Sequence, residues 1–278
     1  MTREQYLDLS VVKNFIGWMA KRLDAEHAPF PHSYLMKRQK KVLRFESLFD
    51  AVSQYDFQHK DFAEFLKERD FYSAELKKAL AKNDAKKTAA LCETIHHWGE
   101  IRFGQPERFT SSGKLVPQLK TAVKILNLRA FDTERDITEV NSNSTWIKIY
   151  ALLVDGFVMY GSRVGAGLCL LVRSFCEENK LSAVPYPISF PWGYGNLAGN
   201  NNPNKGQYKF PPFTSRKQRV RRTVEASWLL EAVLEKAPRS QFNKYPPKHR
   251  IRALEAALFM MGYSLLDVPE SFGQDAKQ

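Results

Sequence analysis

Apolar residues recur at helical spacing from the start of the chain. Tyr6, Leu9, Val12, Phe15, Ile16, Met19 and Leu23 fall on one face, which predicts an amphipathic helix over 4–24. Pro29 and Pro31 mark a loop, after which Ser33 is placed to cap a basic helix reaching about Gln54. The same periodicity predicts helices over 60–68, 72–82, 84–101, 116–127 and 145–154, with a short turn started by Asp132 or Thr133 near 133–139. Residues 102–114 read as a loop, and Phe157–Tyr160 is too short to assign. The segment 162–178 is the most apolar in the chain, with Val164, Leu168, Cys169, Leu170, Leu171, Val172 and Phe175, and predicts a helix buried nearly all round. Residues 181–215 form a long irregular excursion rich in Pro, Gly, Asn and aromatics, and helices resume over 216–236 and 247–262, with a frayed tail after Pro269. Strand patterning is scarce, with no β–α alternation and no repeat. The expected class is all-α with one long functional loop.

Composition adds charge to this picture. In 278 residues, 44% of them hydrophobic, the chain has material for one domain over 1–278, readable as lobes 1–130 and 131–278. The formal net charge is +12, and most of it is local. Thirteen basic residues between Lys205 and Arg252 face only Glu225, Glu231 and Glu235, and a second cluster runs from Lys37 to Lys41 with Arg44. A solvated helix face accounts for either cluster alone, but together they favour an anionic partner, with nucleic acid ahead of a membrane surface. No apolar run long enough to span a bilayer occurs, and the acidic start of the chain is not a signal peptide. The three cysteines, Cys92, Cys169 and Cys176, fit a reducing cytoplasm rather than a disulfide framework. Cys92 and His96 share a helix face without a matching second pair of ligands, so neither a metal nor another cofactor is expected.

Two segments carry candidate binding chemistry. Between Tyr186 and Phe213 seven aromatics alternate with Pro and Gly. Such a loop is either pinned to the core by its rings or presents a platform for a base, with Trp192 and Tyr194 at its centre. The polar turn Asn141–Thr145 feeds a helix whose first turn holds Trp146 and Lys148. Ser142, Asn143, Ser144 and Thr145 therefore stand where helix N–H groups meet a phosphate. By pattern alone Trp146 is also a core residue, Lys148 a side chain reaching for solvent, and Asp155 the end of the helix.

Residues 144–148, then Phe157 to Leu168 with the sequence Phe-Val-Met-Tyr-Gly-Ser-Arg-Val-Gly-Ala-Gly-Leu, resemble the core signature of the 8-oxoguanine-glycosylase-like prokaryotic proteins of the helix-hairpin-helix DNA glycosylase superfamily. Trp98-Gly99, Phe190–Gly193 and Ala226–Glu231 add to the likeness. The resemblance implies a two-lobed helical fold that binds double-stranded DNA, everts one nucleotide and hydrolyses its N-glycosidic bond without a cofactor. The expected substrate is a modified base such as the glucosylated hydroxymethylcytosine of phage DNA, with 8-oxoguanine competing. It also implies Trp146, Trp192, Tyr194 and Tyr160 on the base, and Ser142–Thr145, Arg163, Arg216, Lys217, Arg219 and Arg222 on the backbone. Cleavage builds positive charge on the sugar, which a nearby carboxylate stabilises. The family's Tyr-Asp-x-Arg-Val pattern puts that aspartate where this chain has Gly161. Trp146 lies nearest the position of the catalytic lysine some members use, with Lys148 shortly after. Asp155 is the carboxylate in this segment able to stand in, and a DNA-binding protein without catalysis is the alternative.

Overall fold

The computed structural model describes residues 1–36, 40–57, 59–98, 113–136, 140–194, 201–266 and 268. Among them the chain is mostly helical with one two-stranded sheet. The elements are α1 (Arg3–Asp8), α2 (Ser10–Ala20), β1 (His32–Met36), β2 (Lys41–Phe45), α3 (Leu48–Ser53), α4 (Phe62–Ala81), α5 (Ala85–Trp98), α6 (Leu115–Ile125), α7 (Ser144–Leu153), α8 (Ser162–Glu178), α9 (Arg216–Lys236) and α10 (Pro247–Met261). No described helix is long and apolar enough to cross a membrane.

Contacts divide the chain into two compact units that interleave along the sequence. The first holds Met1–Tyr6, Ala63–Tyr160 and Thr214–Trp228; the second holds Leu7–Phe62, Gly161–Phe213 and Leu229–Gln278. Neither is continuous, and α9 contributes its first half to one and its second half to the other.

In the first unit α5 packs on α6 and α7, and α6 on α7. Leu76, Cys92, Ile95, Leu119, Ile149 and Tyr150 are fully buried there. Trp228 is anchored by its indole N–H, which donates to the Leu128 carbonyl at 2.7 Å, and its ring lies 6.0 Å from Tyr6. In the second unit α10 packs on α3 and α8, and α2 on α8. The α8–α10 crossing is unusually close because Gly167 faces the Leu258 carbonyl and Gly262 faces the Arg163 carbonyl, leaving no room for a side chain at either.

Three expectations need correction. The basic helix expected from Ser33 to Gln54 is a β-hairpin followed by α3, with Tyr34 opposite Leu43 and His32 opposite Phe45. Tyr34, Leu43 and Phe45 are buried while Arg44 and Lys41 are exposed, so alternation, not helical spacing, governs this stretch. Of the basic cluster here, residues 37–39 lie outside the described residues. The helix expected over 4–24 is two helices broken at Leu9, whose backbone is extended (ψ 128°); the chain passes between units just before, at Tyr6–Leu7. The helices expected over 60–68 and 72–82 are one, α4. Asp132 does start a turn, accepting from the Glu134 and Arg135 N–H groups at 2.8 and 3.3 Å. Residues 137–139 of that turn, 99–101 of the helix expected over 84–101, 102–112 of the loop expected over 102–114 and the tail from 269 lie outside the described residues.

Candidate functional site

The first unit brings together the polar turn ahead of α7 and the basic start of α9. The link is a hydrogen bond from Ser142 Oγ to the Arg216 carbonyl at 2.6 Å, joining residues far apart in sequence. Ser142 is buried, so this contact sits under the surface and fixes the two segments side by side.

Each segment is held locally. Asn143 is the N-cap of α7, and its Oδ1 accepts from the Thr145 and Trp146 N–H groups at 2.9 and 3.0 Å. The N–H groups expected to capture a phosphate are therefore largely occupied by the protein itself. Replacing Asn143 with Ala should destabilise the chain by about 1 kcal/mol, read as a lowered melting temperature; an unchanged value would mean the cap does not hold the turn. Behind the cap, Thr145 Oγ1 lies 2.8 Å from His96 Nδ1, both buried, so α5 braces the turn. At the other end of α7 the Ala151 and Leu152 carbonyls accept from Arg69 and Ser73 of α4, at 2.8 and 2.6 Å. With both ends satisfied, α7 is a fixed bar.

At the start of α9, Ser215 Oγ accepts from the Gln218 N–H at 3.1 Å and Gln218 Oε1 accepts from the Thr214 N–H at 3.3 Å, a variant of the capping box. The first turn then carries Arg216 and Lys217, with Arg219 close behind, and no acid. Cations at this end oppose the helix dipole, at a cost of roughly 0.3–1 kcal/mol each. Helix stability therefore does not explain them. Arg216 and Lys217 are exposed. Arg219 is half-buried beside Tyr160; burial lowers its guanidinium from the ordinary value while Tyr160 acts the other way. Arginine remains charged at neutral pH regardless.

Other candidates are placed differently. Arg222 is buried and donates to Glu225 at 2.8 Å, so it is an internal ion pair and not a backbone contact. Burial raises the Glu225 carboxyl, and Arg222 and Arg221 pull it back. Trp146 is buried in the first unit, its ring 5.9 Å from Tyr150, and Tyr160 is likewise buried. Lys148 is half-buried on α7 and Ser144 is exposed. Asp155 is fully exposed beyond the far end of α7, 3.3 Å from Lys77 Nζ. A helix of α7's length separates it from the Ser142–Thr145 turn by about 15 Å. Of the residues weighed as a metal pair, Cys92 is buried, its thiol pushed up to about 12 by desolvation, while His96 faces Thr145.

Gly161, Arg163, Trp192 and Tyr194 belong to the second unit. Gly161 is the N-cap of α8 with extended backbone (φ −109°, ψ −175°), no side-chain cap, and open space where a Cβ would stand. Arg163 lies over the rings of Phe259 and Tyr263, 4.6 and 4.7 Å from their centroids. Trp192 is core: it is 2% exposed and its indole N–H donates to the Phe210 carbonyl at 3.3 Å. Tyr194 is 81% exposed with its ring 4.7 Å from that of Trp192, and among the four aromatics considered for a base it alone offers an open face. Gly195 and Gly199 of the same loop lie outside the described residues.

The sequence reading missed the Ser142–Arg216 link, the His96–Thr145 brace and the capping of α9. The last had a readable signal, Ser215 followed three residues on by Gln218; the first two join distant segments and had none. Against protein-family models, curated proteins and solved structures, the chain has no match.

Proposed function

We propose that the chain is a DNA-binding protein that grips the phosphate backbone with Arg216, Lys217 and Arg219 of α9, seated beside the Ser142–Thr145 turn. The observation that carries this reading is the hydrogen bond from Ser142 to the Arg216 carbonyl, which unites a polar turn with cations that weaken their own helix. Charges kept where they oppose the dipole are explained by an anionic partner. The glycosylase resemblance supplies the kind of nucleic acid, a duplex, and the surrounding helical scaffold. It does not supply a carboxylate: Gly161 has none, and Asp155 sits exposed against a lysine at the far end of α7.

Binding of a labelled duplex, followed by anisotropy across a salt series, tests this. Replacing Arg216 and Lys217 with Ala should flatten the plot of log affinity against log salt by about two units, close to 0.9 per lost phosphate contact. Affinity at low salt should drop by about tenfold or more. A double variant with the parent slope, or no duplex binding at low salt, overturns the proposal.

A second reading, a glycosylase acting on a modified base, follows from the resemblance over Phe157–Leu168 and would need a carboxylate other than the one Gly161 lacks, with Asp155 the candidate. Abasic sites formed by the unaltered protein on DNA with glucosylated hydroxymethylcytosine, or on an 8-oxoguanine duplex, would establish it in place of the first.

A further inference from the structure

The second unit contains an open groove of about 840 Å³ between the ends of α2, α8 and α9. Its floor is apolar, with Gly17, Trp18, Ala20 and Phe175. Its rim is cationic: Lys13, Lys21, Arg22, Lys236 and Arg239 line it, with His27, against a single carboxylate, Asp24.

Several of these charges are already engaged. Lys13 pairs with Asp8 at 2.8 Å. Arg22 pairs with Glu178 at 2.7 Å and lies 3.9 Å over the Trp18 ring. Asp24 is buried and accepts from the Gln241 N–H at 3.1 Å, so it is turned to holding the backbone rather than to balancing the rim. Lys21, His27, Lys236 and Arg239 remain exposed around the opening, with no ion pair among the described residues. Lys21 and Lys236 stand at helix C-termini, where a cation is favoured in any case. Arg239 and His27 lie outside the helices and have no such reason to be there.

We infer that this groove binds a nucleoside polyphosphate, its phosphates on Lys21, Lys236 and Arg239 and its less polar part along the Trp18–Phe175 floor. The groove's size falls within the range of sites for small organic ligands, roughly 300–1,000 Å³. Lys21 follows α2, Lys236 ends α9 and Arg239 lies in the segment after it, so cations from more than one element line one opening and can each offer charge-assisted hydrogen bonds to phosphate oxygens. The inference stands apart from the DNA reading, since it uses residues of the other unit and none of Arg216, Lys217 or Arg219.

Calorimetric titration of the full chain with ATP, ADP, inorganic tripolyphosphate and a short oligothymidylate tests it. ATP is expected to bind at one site, more tightly than ADP. The double variant Lys236→Ser/Arg239→Ser, both exposed and without packing roles, should weaken ATP by about tenfold or more, as the loss of charge-assisted hydrogen bonds requires. Arg216→Ala/Lys217→Ala should leave ATP binding unchanged while weakening duplex binding, which separates failure of one proposal from failure of the other. If oligothymidylate binds with a dependence on Lys236 and Arg239 and the mononucleotides do not, the groove takes a strand and the inference is overturned. No saturable binding of any of these at millimolar concentration, or binding indifferent to Lys236 and Arg239, overturns the inference.

Discussion

Gly262→Ala should cost about 3 kcal/mol or more, the upper end of what overpacking does in a filled core. A Cβ at this position would lie 1.9 Å from the Arg163 carbonyl oxygen, 2.6 Å from the Gly167 nitrogen and 2.8 Å from the Arg163 carbonyl carbon. All three are backbone atoms of α8, so no rotamer change can relieve the contact. The only escape is to move α10 away from α8 as a whole, which opens the layer of Leu168, Leu171, Leu254 and Leu258, each fully buried. Gly262 does not sit in a left-handed conformation (φ −83°), so the cost is purely one of space. Gly167→Ala meets the Leu258 carbonyl oxygen at 2.2 Å and should behave alike. Thermal unfolding by circular dichroism checks both, with an expected drop of roughly 6–12 °C or outright failure to fold. The control is Gly17→Ala in α2, where nothing lies within 4 Å of the added carbon; that change should stabilise by about 0.5–1 kcal/mol, the ordinary gain of alanine over glycine inside a helix. Equal effects at Gly17 and Gly262 would contradict the close α8–α10 crossing.

Where an element's pattern was strong and self-contained, the sequence was enough. The apolar α8 and the long α9 were bounded to the residue, because Gly161 precedes the first and Pro211, Pro212 and Pro238 flank the second, and such residues end a helical stretch. The hairpin over His32–Phe45 was not legible. Its basic residues imitate a solvated helix face, and what favours a strand there is the pairing of Tyr34 with Leu43, a partner that local spacing cannot name. The site divides the same way. Asn141–Thr145 announced a helix start through composition, and Asn143 does cap α7. That Ser142 would hold the start of α9 depends on a fold-level contact. Burial of Trp146 and Trp192, and the pairing of Arg222 with Glu225, are likewise decided by packing: under a turn and a half of helix separates the exposed Lys217 from the buried Arg222, a difference charge counting cannot see.

Gly161→Asp should be tolerated and, if the scaffold is that of a base-excising enzyme, should raise cleavage by placing a carboxylate where the resemblance puts the catalytic aspartate. The position is the N-cap of α8, where extended backbone suits an aspartate and no atom lies within 4 Å of the new Cβ. Aspartate at an N-cap accepts from the N–H groups of the first turn, and relative to glycine gains a few tenths of a kcal/mol. The melting temperature should therefore hold or rise slightly. The same carboxylate, ionised and fixed at the helix end, is what a cleaving site needs to stabilise positive charge developing on a sugar and to orient water. A positioned carboxylate acting on proton transfer contributes about 10²–10⁴-fold, so on DNA carrying a modified base the variant should form abasic sites well above the parent. Asp155→Asn serves as the counter-test. Asp155 is fully exposed and faces Lys77, so on the DNA-binding reading its loss changes neither duplex affinity nor strand chemistry. Activity in the parent abolished by Asp155→Asn would instead make Asp155 the acid. A stable Gly161→Asp protein that binds duplex DNA and cuts no substrate offered would count against a base-excising scaffold.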